Sequence, residues 1–256
     1  MRPSACALLV VATASLVAGC AGPEPASRRG AAEIAMPTRA QIEAIVAGPD
    51  RSDADRRNDA RRKPVDLLAF TGVRPGMTVL DIGAGGGYTT ELLARAVAPG
   101  GRVYAQTPRP PSATLAERLT KPAAANVVSV VRPFESAPPP ELATGGLDLV
   151  TLMFNYHDMG HLGVDRARLN AAVFAALKPG GAYVVADHAG RPGTGISESG
   201  TLHRVEEALV RREVEAAGFR LAGQGMFLRN PADPRDRETP DPPQPKDEFV
   251  LRFVKP

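Results

Sequence analysis

Short runs of apolar and β-branched residues alternate with helical patterns along the chain from Met77 onward. These runs predict five strands, over residues 78–82, 102–106, 126–131, 147–154 and 182–186. Between them the apolar spacing predicts three helices, over residues 89–97, 113–119 and 166–177. Alternation of this kind is typical of a parallel sheet that is covered by helices on both faces, so the pattern predicts an α/β fold.

Glycine and proline residues mark the ends of these units. Ala98-Pro-Gly-Gly101 and Lys178-Pro-Gly-Gly181 are each predicted to close a helix and lead into the next strand. The last third of the chain departs from the pattern, with a predicted helix over residues 201–217 and two predicted strands over 219–228 and 248–254. Only a polar, proline-rich loop separates these two strands, which favours antiparallel pairing.

The N-terminus has the pattern of an export signal. Met1 and Arg2 precede an apolar stretch over residues 5–18, which is shorter than the roughly 20 residues of a membrane span and fits the central region of a secretory signal. The stretch leads into Val17-Ala18-Gly19-Cys20, which resembles the lipobox of bacterial lipoproteins. We therefore expect residues 1–20 to be a lipoprotein signal peptide, with a lipid anchor on Cys20 and a location on the periplasmic face of a membrane. An ordinary cleaved signal is the alternative.

Composition adds a domain organisation and excludes some partners. Residues 21–35 are rich in Pro, Gly and Ala and are predicted to be a disordered tether, followed by one folded domain over residues 36–256. Cys20 would be the only cysteine left after cleavage, which excludes a disulfide and a cysteine metal site. The net charge is +3, Trp is absent, and the arginines of residues 51–62 alternate with aspartates. No nucleic-acid partner is therefore predicted.

A glycine-rich segment over residues 79–90 is the most informative motif. A predicted strand delivers Asp81, and Gly83, Gly85 and Gly87 then allow the backbone to turn tightly and to approach a ligand. Several nucleotide-binding folds share such a glycine triplet. A nicotinamide fingerprint places an acidic residue after the second strand, where this chain has Gln106.

Asp81-x-Gly83-x-Gly85-x-Gly87 resembles motif I of class I S-adenosylmethionine-dependent methyltransferases. Lys178-Pro-Gly-Gly181 and Ala216-Ala-Gly-Phe219 resemble the segments before that family's fifth strand and final strand pair. The resemblance covers residues 64–254 and is greatest to a group of exported predicted methyltransferases. It implies a Rossmann-like three-layer sandwich with a mostly parallel seven-stranded sheet whose last strand is antiparallel, and S-adenosyl-L-methionine as the cofactor.

The resemblance also implies a cofactor site, made of Asp81, Gly83, Gly85, Gly87, Tyr88, Gln106, Phe134, Glu135 and Asn155. Asp81 would lie near the cofactor's amino group. Gln106 takes the position of the carboxylate that usually binds the ribose, and its neutral amide would bind more weakly. Phe134 falls where the adenine is normally held, with a position in the core as the alternative.

All four histidines, His157, His161, His188 and His203, lie at or after the predicted carboxyl ends of strands, where open α/β sheets bind ligands. His157 and His188 are candidate general bases for removing a proton from a methyl acceptor. Asp158 and Asp187 are candidates to orient the imidazole or the acceptor. As an alternative, these four residues could ligate a divalent metal ion, but the prediction retained is a site without metal.

The sequence leaves more than one function open. The first hypothesis is a methyltransferase that acts on a small molecule or an envelope component. The second is a non-catalytic ligand-binding module that retains the fold, which Gln106 and export away from the cytoplasm both favour. A different reaction at the same site, such as elimination or hydrolysis, is a third. The oligomeric state is not predicted.

Overall fold

The computed structural model describes Met1, residues 35–238 and residues 245–256. Apart from Met1 and Ala35, the predicted signal peptide, lipobox and tether lie outside the described residues. Within the described parts, the helices are all too short or too polar to cross a membrane.

In the described residues, seven strands form a single sheet in the order β3-β2-β1-β4-β5-β7-β6. They are β1 (Thr78–Ile82), β2 (Arg102–Thr107), β3 (Val127–Val131), β4 (Leu147–Met153), β5 (Leu177–His188), β6 (Arg220–Gly225) and β7 (Glu248–Val254). Strands β1 to β5 pair in parallel, whereas β7 is antiparallel to both β5 and β6. The prediction of a mostly parallel seven-stranded sheet with an antiparallel last strand is confirmed.

Helices cover both faces of this sheet. They are α1 (Arg39–Val46), α2 (Asp53–Arg62), α3 (Pro64–Thr71), α4 (Tyr88–Val97), α5 (Ala113–Leu119), α6 (Asp158–His161), α7 (Arg166–Ala176) and α8 (Glu207–Ala216). Short 3-10 helices lie at Pro122–Ala124, Phe134–Ser136 and Pro140–Leu142.

Among the residues that the structure describes, the core consists of two apolar clusters, one on each face of the sheet. Leu80 of β1 packs in the same cluster as Val173 of α7 and Val210 of α8, whereas its neighbour Val79 packs in the cluster that holds Leu93 of α4. Successive strand residues point to opposite faces, and both neighbours are fully buried. The result is the three-layer arrangement that the pattern predicts, with each large buried side chain contributing about 1.5–3 kcal/mol.

The helix predicted to begin at residue 201 was wrong in its start, because α8 begins only at Glu207. The preceding segment instead forms a parallel bridge between Ala189 and Val205. The backbone N–H of Val205 donates to the carbonyl of His188 at the end of β5. His203 has a φ of 50°, which no right-handed helix accommodates.

The Lys178-Pro-Gly-Gly181 segment was also assigned incorrectly, since β5 begins at Leu177 and includes it. Leu177 pairs with Leu147, and the pairing register with β4 then shifts before Leu149. The backbone N–H of Gly180 donates to the carbonyl of Lys255 beside β7. The glycines therefore produce an irregularity at the beginning of the strand rather than a separate turn.

Candidate functional site

The glycine-rich turn connects β1 to α4 and leaves open space at its centre. Gly83, Gly85 and Gly87 have φ values of 67°, 57° and 80°, a region that glycine adopts at little cost. A Cβ at Gly83 would lie 2.9 Å from the side chain of Asn155, whereas a Cβ at Gly85 would have no neighbour closer than 3.9 Å. Gly83 thus makes room for Asn155, and Gly85 borders space that a ligand can occupy.

Asp81 lies at the end of β1 beneath this turn. Its side chain accepts hydrogen bonds from the hydroxyl groups of Thr90 (2.6 Å) and Thr151 (2.7 Å). Burial raises the pKa of Asp81 to about 6, although both hydroxyl groups oppose the increase. The carboxylate is therefore ionised at neutral pH although the residue is only 2% exposed to solvent.

A cavity of about 160 Å³ lies on the turn. Its lining residues come from three separate segments of the chain: Arg62, Asp81, Gly83, Ala84, Gly85, Gly86, Tyr88, Thr89, Met153, Phe154 and Asn155. Pockets for drug-sized ligands usually have volumes of about 300 Å³ or more. The cavity can therefore enclose one end of a nucleoside-sized ligand and leaves the rest to extend beyond it.

Arg62, at the end of α2, is a cavity residue that the sequence analysis did not identify. Its guanidinium lies 3.8 Å from the centroid of the Phe154 ring, and it makes no hydrogen bond or ion pair with the described residues. Burial and the neighbouring Arg61 lower the pKa of Arg62 to about 10, so the group is charged at neutral pH. An unpaired cation at a cavity is suited to bind an anionic group of a ligand. No motif marks this residue, because only the packing of α2 brings it to the turn.

A buried arginine holds α2 in this position. Arg118 of α5 donates to both carboxylate oxygens of Asp55 on α2, at 2.8 and 3.0 Å, and also to Glu91 of α4. Its Nε donates to the carbonyl of Gly86 at 2.9 Å. One side chain thus links α2, α4, α5 and the glycine turn.

Both polar atoms of the Gln106 side chain are hydrogen-bonded, and one of these bonds holds the glycine turn. The amide oxygen accepts from the backbone N–H of Gly83 (2.9 Å), and the amide nitrogen donates to the carbonyl of Arg132 (2.6 Å). The side chain is fully buried. A carboxylate could not donate to Arg132, which explains why an amide fits here. In this structure the group is engaged by backbone rather than presented to a ribose, so the ribose contact stays a prediction.

Three other predicted cofactor residues have structural partners. Phe134 packs in the core cluster of the α7 face, which is the alternative that the sequence left open. Glu135 accepts from the backbone N–H of Asp165 (3.2 Å) just before α7. The hydroxyl of Tyr88 donates to Asp59 of α2 (2.6 Å), although its side chain also lines the cavity. The predicted cofactor contacts of Phe134, Glu135 and Tyr88 therefore stay predictions.

The structure brings all four histidines together into one group, called here the histidine cluster. Ring centroids are 5.3 Å apart for His157 and His188, 5.6 Å for His157 and His203, and 5.8 Å for His161 and His203. The His188 ring also lies 5.4 Å from the ring of Phe154, which lines the cavity. The cluster and the cavity are therefore continuous through one aromatic contact.

His157 lies between two carboxylates. Its Nδ1 is 2.5 Å from Asp187 and its Nε2 is 3.1 Å from Asp158, and its backbone N–H donates to Asp187 (2.7 Å). Burial disfavours the charged ring, but the hydrogen bonds and charges of Asp158 and Asp187 outweigh burial and raise the pKa of His157 to about 9. A histidine that is already protonated at neutral pH is a poor general base.

His188 is the neutral histidine of the pair. Burial lowers the pKa of His188 to about 3. Its Nδ1 lies 3.0 Å from Glu248, but this contact is outside hydrogen-bonding geometry. His188 is therefore neutral at neutral pH, and a ring with so low a pKa is only a weak base.

Comparison with known proteins adds family information for the central part of the chain. Residues 79–181 match the model of a methyltransferase domain. A protein-L-isoaspartate O-methyltransferase of Aeropyrum pernix is 48% identical over 66 residues, which are 25% of this chain and 25% of that protein. The chain thus matches only about a quarter of the length of this curated relative.

Solved structures share the fold over most of the chain. A SAM-dependent methyltransferase from Aquifex aeolicus superposes with a TM-score of 0.58 at 20% identity, covering 85% of this chain and 98% of that one. A protein of Bordetella parapertussis, described as a possible exported protein, gives a TM-score of 0.51 at 16% identity and covers 85% and 79% of the two chains. At these identities the likeness establishes the fold.

Proposed function

We propose that this protein transfers the methyl group of S-adenosylmethionine to an oxygen or nitrogen atom of an acceptor, because residues 79–181 match the model of a methyltransferase domain. The observation that carries the proposal is the pair of opposite charges at one cavity, Asp81 and Arg62. The methionine end of the cofactor carries an ammonium and a carboxylate group, and these charges are complementary to that pair.

The residues present fit the methionine end of the cofactor. Gly85 borders open space, Arg62 would bind the carboxylate, and Asp81 would attract the ammonium group. When bound, S-adenosylmethionine supplies an electrophilic methyl group on a sulfonium centre. Because the amide of Gln106 is engaged by backbone, we expect weaker ribose recognition than a free carboxylate would provide.

The histidine cluster is the proposed acceptor side of the site. His188 is neutral at neutral pH, so its ring can accept a hydrogen bond from an acceptor hydroxyl or amine and hold that group for transfer. Asn155 is held against the turn by bonds from its Nδ2 to the carbonyls of Gly83 (3.1 Å) and Met153 (2.9 Å). Asn155 contacts the glycine turn and precedes His157 of the histidine cluster by two residues, so it can help to align the acceptor.

Calorimetry of the full chain against S-adenosylmethionine and S-adenosylhomocysteine tests the proposal. We expect binding of both ligands, and affinity at least 10-fold weaker for Asp81→Asn because the ammonium loses its counter-charge. Asp53→Asn, an exposed position on α2, is the matched control and should bind like the parent protein. Absence of heat with either ligand would contradict the methyltransferase function.

The non-catalytic alternative makes a different prediction, and the all-backbone bonding of Gln106 is the observation that favours it. A binding module would take up S-adenosylmethionine without forming S-adenosylhomocysteine when an envelope fraction is supplied as the source of acceptor. Formation of S-adenosylhomocysteine that depends on this fraction would support the enzyme instead.

We further propose that the protein is a lipoprotein of the cell envelope, anchored through Cys20, and that its acceptor is a small molecule or an envelope component. The support is the order of charged start, apolar stretch and lipobox-like segment in residues 1–20.

A further inference from the structure

We propose that His157, Asp158 and His203 bind a divalent first-row transition metal ion. Nε2 of His157 and Nδ1 of His203 each lie 3.1 Å from the same oxygen of Asp158. The ligand atoms of the three residues all lie within 4.8 Å of one another. This set differs from the four-residue alternative of the sequence analysis, because His203 replaces His188 and Asp187 has another role.

The two distances to the Asp158 oxygen suit coordination. Adjacent ligands on an ion with bonds of about 2.1 Å lie roughly 3.0–3.4 Å apart, and both measured contacts to Asp158 fall in this range. Two imidazoles and one carboxylate form a three-ligand face that leaves further positions open. The side chains of Asp158 and His203 are 31% and 38% exposed, so an ion can enter from solvent.

Asp187 gives the inferred site its supporting contact. Its carboxylate holds Nδ1 of His157 at 2.5 Å, and this side chain is fully buried. A carboxylate on the far nitrogen of a ligating histidine fixes the ring and directs the other nitrogen to the ion. Ser199 also holds this segment, because its hydroxyl donates to the carbonyl of His157.

The backbone at His203 supports the same inference. A φ of 50° is unfavourable for a residue other than glycine, and His203 adopts it within a short bridged segment. The next residue, Arg204, is fully buried in an ion pair with Asp233 (2.9 Å) and donates to the carbonyl of Ala189 (3.0 Å). These contacts fix the strained backbone that directs His203 at Asp158.

A charged histidine between two aspartates would account for the contacts of His157 alone. His203 adds a second imidazole nitrogen at the same carboxylate oxygen, which is the arrangement that a shared ion requires. The metal site is independent of S-adenosylmethionine binding. Only its role rests on the proposed function: an acceptor oxygen at an open coordination position would lose its proton more readily.

Metal binding is tested on the full chain after removal of ions with a chelator. We expect Zn²⁺ to bind with 1:1 stoichiometry in calorimetry and Co²⁺ to give a visible absorption band typical of nitrogen and oxygen ligands. His203→Gly should weaken Zn²⁺ binding at least 10-fold. Because glycine accepts the positive φ, this variant should unfold at the same temperature as the parent or higher when no metal is added.

His161→Ala is the matched control, since His161 belongs to the cluster but not to the three-ligand set. It should retain Zn²⁺ affinity, whereas Asp187→Asn should lower it by roughly 10–100-fold. Absence of 1:1 binding, or equal losses in His161→Ala and His203→Gly, would overturn the inference. Calorimetry with S-adenosylhomocysteine on the same samples separates its failure from failure of the proposed function.

Discussion

Two charged side chains determine what the cavity at the glycine turn can bind. Asp81 is held by two hydroxyl groups at the end of β1, and Arg62 lies across the cavity against the ring of Phe154. Phe154 itself has a φ of 60°, an unfavourable conformation for an aromatic residue. This backbone conformation occurs at the residue whose ring lines the cavity and contacts the guanidinium.

Arg62→Met should weaken binding of S-adenosylhomocysteine by about 10–100-fold, because a charge-assisted hydrogen bond contributes about 1.5–3 kcal/mol. The affinity for 5′-methylthioadenosine, which lacks the amino acid group, should not change. Arg57→Met, an exposed position on the same helix, serves as the control in calorimetry. Equal losses for both ligands would show that Arg62 does not bind the carboxylate.

The raised pKa of Asp81 predicts a pH dependence of binding. Since burial raises this pKa to about 6, the carboxylate is neutralised as pH falls below 6 and its attraction for the ligand's ammonium group is lost. We expect S-adenosylhomocysteine affinity to fall up to tenfold per pH unit between pH 6 and about 4. Asp81→Asn should flatten this component in calorimetry at several pH values.

The raised pKa of Asp81 also makes the free energy of unfolding depend on pH, but in the opposite direction: ligand affinity falls at low pH, whereas stability rises. The folded protein binds the Asp81 proton more tightly than the unfolded chain, whose aspartate pKa is about 3.9. The stabilisation from this group is complete below pH 4 and is lost as pH rises through 6. A parent protein whose stability relative to Asp81→Asn does not change between pH 4 and 7 would contradict the assigned pKa.

At the scale of elements, α2 connects the N-terminal part of the fold to the cavity. The sequence indicates a solvated helix here, because arginines and aspartates alternate. In the structure Arg51 and Asp55 are buried, and Arg51 makes a bidentate ion pair with Asp59 at 2.7 Å. The helix is therefore polar but packed, and it carries Arg62 to the site.

Arg118→Leu should destabilise the fold by about 3–5 kcal/mol, because it leaves Asp55 buried without its cation and leaves Glu91 with Arg95 alone. The loosened α2 should also lower S-adenosylhomocysteine affinity. Urea unfolding and calorimetry measure the two effects. Arg211→Leu removes an exposed helix ion pair and should change stability by only about 0.5 kcal/mol or less; a similar result for Arg118→Leu would contradict the role of the network.

For the whole molecule, the strand order decides which chain segments meet. β1, β4 and β5 are neighbours at the centre of the sheet, so the glycine turn, residues 155–158 and the end of β5 lie at one edge. Parallel strands bring their carboxyl ends to the same side, which is where open sheets bind ligands. The cavity and the histidine cluster are two parts of this single edge.

Cys20→Ser should move the full chain from the membrane fraction to the soluble fraction of cells, since the proposed anchor is a lipid on this sulfur. Cys6→Ser, within the predicted signal, is the matched control and should stay with the membrane. Immunoblots of the fractions measure both. A Cys20→Ser variant that remains membrane-bound would contradict the lipid anchor.

The sequence determined those features that depend on local pattern. Alternating strands and helices, the glycine turn after Asp81 and the four histidines after strand ends could all be predicted, because apolar period and turn chemistry act over a few residues. The predicted boundaries of helices and strands were wrong at residues 177–181 and 201–206, because the backbone there pairs with residues that are distant in the chain.

Only the tertiary structure decided how the site is assembled. Arg62 meets Phe154 from 92 positions away in the chain, and Gln106 is engaged by Gly83 and Arg132. Likewise, the contact of His203 with Asp158 spans 45 positions. These contacts depend on how the helices pack on the sheet and on which buried polar groups pair with each other. Neither follows from local periodicity.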